Sequence, residues 1–110
     1  MRRGVLGSHM RQFMQQWDLL VTPTVAIPAF EAREPGSVPL DPASMLGWTP
    51  FSYPFNLTQQ PACSIPCGFT SDGLPIGLQL VGPMFGDNLV LRAARACETL
   101  QPVQRAPLPA

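Results

Sequence analysis

The sequence contains no lysine, so all seven of its positive charges are arginines, and seven acidic residues balance them to a net charge of zero. Proteins that bind nucleic acid or anionic membranes through charge carry a basic patch or a basic run. Nothing of this kind stands out here, so we predict no direct nucleic-acid partner and no membrane partner. Charged residues make up only 13% of the 110 residues, against 45% hydrophobic residues. This low charge density predicts a surface that is covered by further polypeptide.

Residues that bind metals are also scarce. His9 is the single histidine, and the three cysteines are Cys63, Cys67 and Cys97. A structural metal site needs about four ligands, so we predict no metal site and no cofactor. An odd number of cysteines without a signal peptide favours reduced thiols in a cytoplasmic protein, where they serve as small buried apolar side chains. No apolar run approaches the ~20 residues of a membrane-spanning helix.

The first half of the chain predicts a helix, a strand and a long loop. Apolar residues recur at helical spacing from Met10 to Trp17, which predicts a short amphipathic helix that ends near Trp17. The run Leu19–Thr22 has the length of a strand, and its apolar character is typical of a strand buried on both faces. Prolines at 23, 28, 35, 39 and 42 then predict a loop that extends to about residue 47.

The two ends of the chain are interpreted as separate from the folded part. Residues 1–9 are interpreted as a tag or a disordered start, although Gly-Ser-His-Met at 7–10 also runs without a break into the helical pattern. Residues 102–110 contain three prolines and are interpreted as a disordered tail. The folded part is therefore predicted to span residues 10–101.

The clearest local pattern is an antiparallel hairpin between residues 62 and 82. Its two extended segments flank the turn Thr70-Ser71-Asp72-Gly73, in which Asp-Gly tolerates positive φ. Pro66 and Pro75 cannot donate to a strand ladder, so they should lie at bulges or with the missing N–H directed away from the pairing.

Two helical segments are predicted around the hairpin. Before it, Asn56 or Thr58 is expected to begin a helical turn that Pro61 closes. After it, Asp87 is the predicted N-cap of a helix over residues 88–100, with Arg92 and Arg95 directed outward. The buried stripe of that helix is predicted to consist of Val90, Ala93, Ala94, Cys97 and Leu100.

Four stretches of the chain resemble the amidase signature family in order and spacing. The central stretch is similar to the family pattern Asn-x-Thr-Gly-x-Pro-Ala-x-Ser-x-Pro and reads Asn56-Leu57-Thr58-Gln59-Gln60-Pro61-Ala62-Cys63-Ser64-Ile65-Pro66. The others are Asp18–Thr24, Asp72–Gly82 and Asp87–Ala94. Gln59 departs from the pattern, because the family usually has glycine there. If that glycine serves a positive-φ turn, Gln59 strains it by ~1 kcal/mol or more.

The resemblance implies an α/β fold, here a partial amidase-signature fold in which a few strands of a mixed sheet, including the hairpin, are flanked by helices. The family's chemistry uses a Ser–Ser–Lys triad beside a glycine- and serine-rich loop. The lysine and that loop are missing from this sequence, so no catalytic residue is assigned and the chain alone is predicted to be inactive. Ser64, Cys63 and Cys67 lack the strained turn or the base that a substitute nucleophile needs.

The resemblance also implies that residues just ahead of the Asn-x-Thr motif form part of the wall of the substrate pocket. By position these residues are Phe51, Ser52 and Phe55, with Trp48 further out. Aromatic rings there would make an apolar wall for an acyl or amide substituent. The alternative for each residue is that it only packs the core or covers the loop.

Asn56 and Gln79 have a different expected role. Both are expected to hydrogen-bond backbone groups at the end of the sheet rather than substrate, because buried amide side chains are usually satisfied within the fold.

Three functions remain open on the sequence alone. The first is the C-terminal part of an amidase that hydrolyses a small-molecule carboxylic amide to an acid and ammonia or an amine. The second is part of the catalytic A-type component of a tRNA-dependent amidotransferase. The third is a non-enzymatic interaction module that uses the proline-rich segment 23–42 and the sheet faces. An isolated piece of such a fold should expose apolar surface and an unpaired sheet edge, so we expect self-association.

Overall fold

A computed structural model of the chain describes residues 2–30 and 47–102. Within these residues the chain forms three antiparallel strands, with β3 in the centre and β1 and β2 at the edges. Helices pack on both faces of this sheet, which confirms the α/β class. The elements in chain order are α1 (Arg2–Phe13), β1 (Leu20–Pro23), α2 (Tyr53–Thr58), β2 (Ala62–Phe69), β3 (Pro75–Val81) and α3 (Asp87–Leu100).

The predicted hairpin is confirmed as the pair β2 and β3. Its register runs from Ala62 opposite Val81 to Phe69 opposite Pro75, with an irregularity between Pro66 and Gly68. The turn closes through a hydrogen bond of 2.8 Å from the Thr70 N–H to the Leu74 carbonyl oxygen. Gly73 has a φ of 81°, which is the left-handed conformation that the Asp-Gly pair predicted.

The expectation of a mixed sheet is not met by the three strands that the structure describes, because all their pairings are antiparallel. The interpretation of residues 19–22 as a strand buried on both faces is also wrong within this chain. Val21 is 53% exposed, and β1 alternates half-buried and exposed residues. Its apolar character does not bury it, because β1 lies at an edge and has only β3 as a neighbour.

The first helix differs from its prediction at both ends. It begins at Arg2 and ends at Phe13, so the segment interpreted as a tag or disordered start lies in α1 from residue 2 onward. Met10 and Met14 pack into the core, whereas Phe13 and Trp17 remain exposed and stack with ring centroids 6.5 Å apart. Since Met14 to Gln16 form a turn, the apolar spacing predicted the buried residues better than the helix end.

The helix α2 begins earlier than predicted. It starts at Tyr53 and ends at Thr58, so Asn56 lies inside it and Thr58 closes it. Pro54 occupies the first turn, where its missing N–H costs nothing.

The last helix agrees with its predicted stripe except at its end. Val90 is buried, and Ala93, Ala94 and Cys97 pack against the same cluster, whereas Leu100 is 87% exposed. Asp87 is the first residue of α3 and not its N-cap, which is Gly86. The acidic side chain still lies in the first turn, where the helix dipole favours negative charge. Arg92 and Arg95 are exposed, as predicted.

Two small apolar cores lie on opposite faces of the sheet. On one face, Val81 packs with Phe55 and Met14. On the other face, Leu80 and Ile65 pack with Val90 under α3. This division follows from the alternation of side chains along β3.

Parts of several predictions lie outside the described residues. This applies to residues 31–46 of the predicted loop and to residues 103–110 of the predicted tail. The division of the chain at residues 10 and 101 stays a prediction.

Candidate functional site

Gln79 joins the central strand to the segment that precedes α2. Its side chain is 8% exposed and lies on the β3 face that also carries Gly77 and Val81. Its Nε2 donates one hydrogen bond to Thr22 Oγ1 at 3.0 Å and another to the Phe51 carbonyl oxygen at 2.9 Å. Both amide hydrogens are therefore used within the fold. The prediction that Gln79 bonds a backbone group is confirmed.

A pair of hydroxyl groups crosses the same face of the sheet above Gly77. Thr24 Oγ1 and Ser64 Oγ lie 2.6 Å apart, so hydroxyls from the two edges of the sheet meet over the central strand. A Cβ at Gly77 would lie 2.7 Å from Thr24 Oγ1 and 2.9 Å from Ser64 Oγ. Glycine is thus required for this approach. The sequence patterns did not predict the pair, and the available signal was a glycine inside a strand.

The three predicted pocket residues occupy two different environments. Phe55 is 7% exposed and belongs to the core with Met14 and Val81. Phe51 and Ser52 are half-buried and precede α2, and the Ser52 N–H donates to the Thr49 carbonyl oxygen at 3.1 Å. The structure therefore keeps Phe51 and Ser52 next to each other and uses Phe55 mainly for packing. Their contact with substrate stays a prediction.

A groove of about 450 Å³ lies between the end of α2 and the start of α3. Two residues beside it, Gln59 and Phe85, have positive φ values of 62° and 64°, and no other non-glycine residue in the described ranges does. Phe85 is 90% exposed. The groove is lined by Phe55, Asn56, Gln59, Gln60, Pro61, Met84, Phe85 and Asp87.

The conformation of Gln59 bears on its departure from the family pattern. Gln59 is the C-cap of α2 and has φ 62° and ψ 33°, in the left-handed helical region. This is the conformation that glycine adopts without a steric penalty and that other L-residues adopt at a cost. The condition stated for strain at Gln59 is therefore met.

Two buried polar side chains lie close together at the end of α2. Thr58 Oγ1 donates to the Pro54 carbonyl oxygen at 2.7 Å and also contacts Gln60 Oε1. One hydroxyl hydrogen does not serve two oxygens fully, and the two ends of an amide are interchangeable by a half turn. The hydrogen count therefore favours Gln60 Nε2 as donor to Thr58 Oγ1. This orientation gives a partner to a buried nitrogen that otherwise has none within the described residues.

The three cysteines are free thiols and all are half-buried. Cys63 and Cys97 pack against the core under α3. Cys67 lies at the irregularity of β2, where its Sγ donates to the Ile76 carbonyl oxygen at 3.5 Å. Burial raises the pKa of the Cys63 thiol, and Cys97 and Glu98 raise it further. A raised pKa disfavours the reactive thiolate, which fits a packing role for Cys63.

The described residues hold no cluster of three or more histidine, cysteine or acidic side chains that could bind a metal ion. Among the same residues, 2–30 and 47–102, no helix combines the length and apolarity needed to traverse a bilayer.

Comparison with known proteins identifies the family to which these elements belong. The model of the amidase family matches residues 1–91. The chain belongs to the amidase signature family. An acylamidase of Rhodococcus erythropolis is 39% identical over 104 residues, which cover 91% of this chain and 22% of that protein. The glutamyl-tRNA(Gln) amidotransferase A-type component from Oceanobacillus iheyensis is 38% identical over 96 residues, with 87% of this chain and 19% of that protein covered.

A solved structure of this amidase family shows the same fold. The crystal structure of the corresponding glutamyl-tRNA(Gln) amidotransferase component from Thermotoga maritima superposes with a TM-score of 0.80 and 34% identity. The superposition covers 97% of this chain and 23% of that protein. The chain thus spans about a fifth of the length of the relatives it matches. The resemblance drawn from the four sequence stretches is confirmed.

Proposed function

We propose that this chain is the C-terminal part of an amidase that hydrolyses the C–N bond of a small carboxylic amide to an acid and ammonia or an amine. The observation that carries the proposal is the amidase family match over residues 1–91. The similarity to an acylamidase supports a hydrolytic reaction. We also propose a cytoplasmic location, which the three free thiols support.

The catalytic residues of this reaction are proposed to lie outside residues 1–110. The chain has no lysine to complete a Ser–Ser–Lys triad. Ser64 is exposed, but its hydroxyl is paired with Thr24 Oγ1 at 2.6 Å. A threonine hydroxyl is not a general base at neutral pH, so this pair does not activate Ser64.

The substrate contacts of this chain are proposed to be Phe51, Ser52 and Phe55. Phe51 and Ser52 are half-buried ahead of α2, and Phe55 is mainly a core residue that also borders the groove. Together they would offer an aromatic surface with one hydroxyl for the acyl or amine substituent of the substrate. No cofactor, metal, nucleic acid or membrane is part of the proposed function.

An assay of the purified chain tests the catalytic part of the proposal. Simple aliphatic and aromatic amides, including acetanilide, are incubated with the chain and the release of ammonia or aniline is followed. We expect no turnover above the buffer rate. The matched control is Ser64→Ala, which removes an exposed hydroxyl of the sheet face. Turnover by the unmodified chain that Ser64→Ala abolishes would contradict the proposal.

The A-type component of an amidotransferase is a second candidate. The Oceanobacillus and Thermotoga proteins support it, because they match this chain at 38% and 34% identity. A protein of this kind would bring partner subunits with it. Purification from the native host under mild conditions is the test, and a co-purifying partner at a fixed ratio would favour this candidate over a general amidase.

Self-association of the isolated chain follows from the first candidate, and its absence favours an interaction module. Large apolar side chains lie exposed on several elements, among them Trp17, Val21, Leu91 and Phe85. β2 also presents an unpaired edge in the described sheet. Size-exclusion chromatography with hydrogen exchange separates the two cases. Aggregation or rapid exchange supports a part of a larger fold, whereas a protected, cooperative monomer supports an autonomous interaction module.

A further inference from the structure

We infer that Gln79 is a positioning residue, whose side chain sets the place of the segment 47–52 on the sheet. This segment carries Phe51 and Ser52, so the inference rests on the proposed function for its meaning in substrate binding. Gln79 itself contacts neither a substrate nor a reacting atom. It acts through the Phe51 backbone.

Two carbonyl groups hold the segment against the sheet. The Phe51 carbonyl oxygen accepts a hydrogen bond of 2.9 Å from Gln79 Nε2. Three residues earlier, the Trp48 carbonyl oxygen accepts a bond of 3.2 Å from the Ala26 N–H, which lies shortly after β1. Both donors come from the sheet side, so the position of the segment depends on β3 and on the residues that follow β1.

The chemistry of this link requires two donors on one atom. Nε2 of Gln79 donates to Thr22 Oγ1 at 3.0 Å as well as to the Phe51 carbonyl. Thr22 lies directly opposite Gln79 in the β1–β3 register, so this second bond keeps the amide in one orientation. A glutamate would present an acceptor to the Phe51 carbonyl, and a methionine of similar length would present no polar atom that donates.

Burial makes the bond to Phe51 a strong determinant of position. The Gln79 side chain is 8% exposed, so water does not readily replace it as the donor to the carbonyl. The segment is otherwise held by local bonds, such as that from the Ser52 N–H to the Thr49 carbonyl oxygen. Such local bonds fix the shape of a turn but not its place on the sheet.

The test is amide hydrogen exchange on the full chain, compared between Gln79→Met and Thr22→Val. Valine has nearly the same shape as threonine, so Thr22→Val removes only the bond that leaves Phe51 untouched. The reporting amides are Ser52 and Ala26, whose bonds lie in the segment or lead to it. The reference amide is Thr70 in the hairpin turn, which bonds Leu74.

In Gln79→Met we expect the exchange of Ser52 and Ala26 to rise roughly fivefold to tenfold, the opening typical of one lost buried hydrogen bond. Thr70 should exchange at its former rate, and Thr22→Val should leave all three amides within about twofold. Gln79→Glu, as the second variant, should repeat the effect of Gln79→Met.

Two results would overturn the inference. One is unchanged exchange of Ser52 and Ala26 in both Gln79 variants. The other is an equal rise at Thr70, which would show that Gln79 supports the whole sheet and not the segment. Because exchange is measured without substrate, these results do not depend on whether the chain takes part in amide hydrolysis. The amide-hydrolysis assay tests that proposal separately.

Discussion

The two faces of the sheet are built from the same strands but are held by different forces. Under α3, Leu80, Ile65 and Val90 form an apolar core that is flanked by thiols and alanines. The opposite face has Val81 at one end, but its middle is polar, with Gln79 and the Thr24–Ser64 pair. The α3 face is stabilised by burial, which tolerates small shifts. The polar face depends on hydrogen bonds, which tolerate little change in distance.

This contrast indicates where specificity resides. The α3 face uses contacts that any apolar residues of suitable size would make. The polar face requires particular atoms at particular positions, and it is the face against which Phe51 and Ser52 lie. We therefore expect substitutions on the α3 face to change stability most, and substitutions on the polar face to change local geometry.

The largest effect is expected for Leu80→Ala on the α3 face. Leu80 is 3% exposed, and its loss leaves a cavity under α3, so the free energy of unfolding should fall by ~2–4 kcal/mol. Urea unfolding followed by circular dichroism measures this. Ile76→Ala, on the same face but largely exposed at the far end of β3, is the control and should cost less than ~1 kcal/mol. Equal costs at both positions would show that the α3 core is not where burial stabilises the chain.

A smaller effect is expected for Gly77→Ala on the polar face. The added Cβ would lie 2.7 Å from Thr24 Oγ1, so the hydroxyl pair must separate, at a cost of ~1–2 kcal/mol. The same unfolding measurement is repeated with Thr24→Ala and Ser64→Ala already in place. The cost of Gly77→Ala should fall in that background, because the colliding oxygens are gone. An unchanged cost would mean that the hydroxyl pair is not what requires glycine.

A gain is expected for Gln59→Gly beside the groove. Gln59 has a φ of 62°, and glycine removes the steric cost of this conformation, offset in part by its greater freedom in the unfolded chain. We expect the free energy of unfolding to rise by about 0.5–1 kcal/mol. Gln101→Gly is the matched control, since Gln101 caps α3 with a φ of −133° and has no such cost to lose. A stability gain in the control as large as that in Gln59→Gly would refute the strain at Gln59.

The smallest effect concerns the Cys63 thiol on the α3 face. Its pKa is raised in the folded chain, chiefly by burial, so the unfolded chain loses this proton first as pH increases. The contribution of Cys63 is therefore fully present below the unfolded pKa, near 9, and is lost as the pH rises through the folded pKa. Urea midpoints at several pH values compare the chain with Cys63→Ala. The unmodified chain should lose more stability above pH ~9. Parallel losses in both would contradict the shift.

The sequence predicted those features that depend on neighbouring residues. The hairpin followed from turn chemistry at Asp72-Gly73, and the stripe of α3 followed from helical spacing. Both rest on interactions over a few residues, which local patterns contain. The same reasoning failed at boundaries, since α1 begins at Arg2 and the exposed Leu100 fits the spacing of a buried residue. Spacing alone does not show where packing partners end.

The candidate site was predicted only in part. The order of the motifs indicated Phe51, Ser52 and Phe55 together, but Phe55 packs chiefly with Met14 and Val81. The bond between Gln79 and a backbone group was predicted, although its partner, the Phe51 carbonyl, was not. Adjacent positions in a motif do not specify which side chain turns toward the core.

By itself the sequence determined the family, the hairpin, the last helix and the absence of a lysine for the amidase triad. These follow from residue identity and short-range periodicity. Only the tertiary structure decided which distant residues meet. Gln79 and Phe51 are 28 positions apart, and Thr24 and Ser64 are 40 apart. Such contacts depend on strand register and on the space that Gly77 leaves open, and local sequence patterns contain neither.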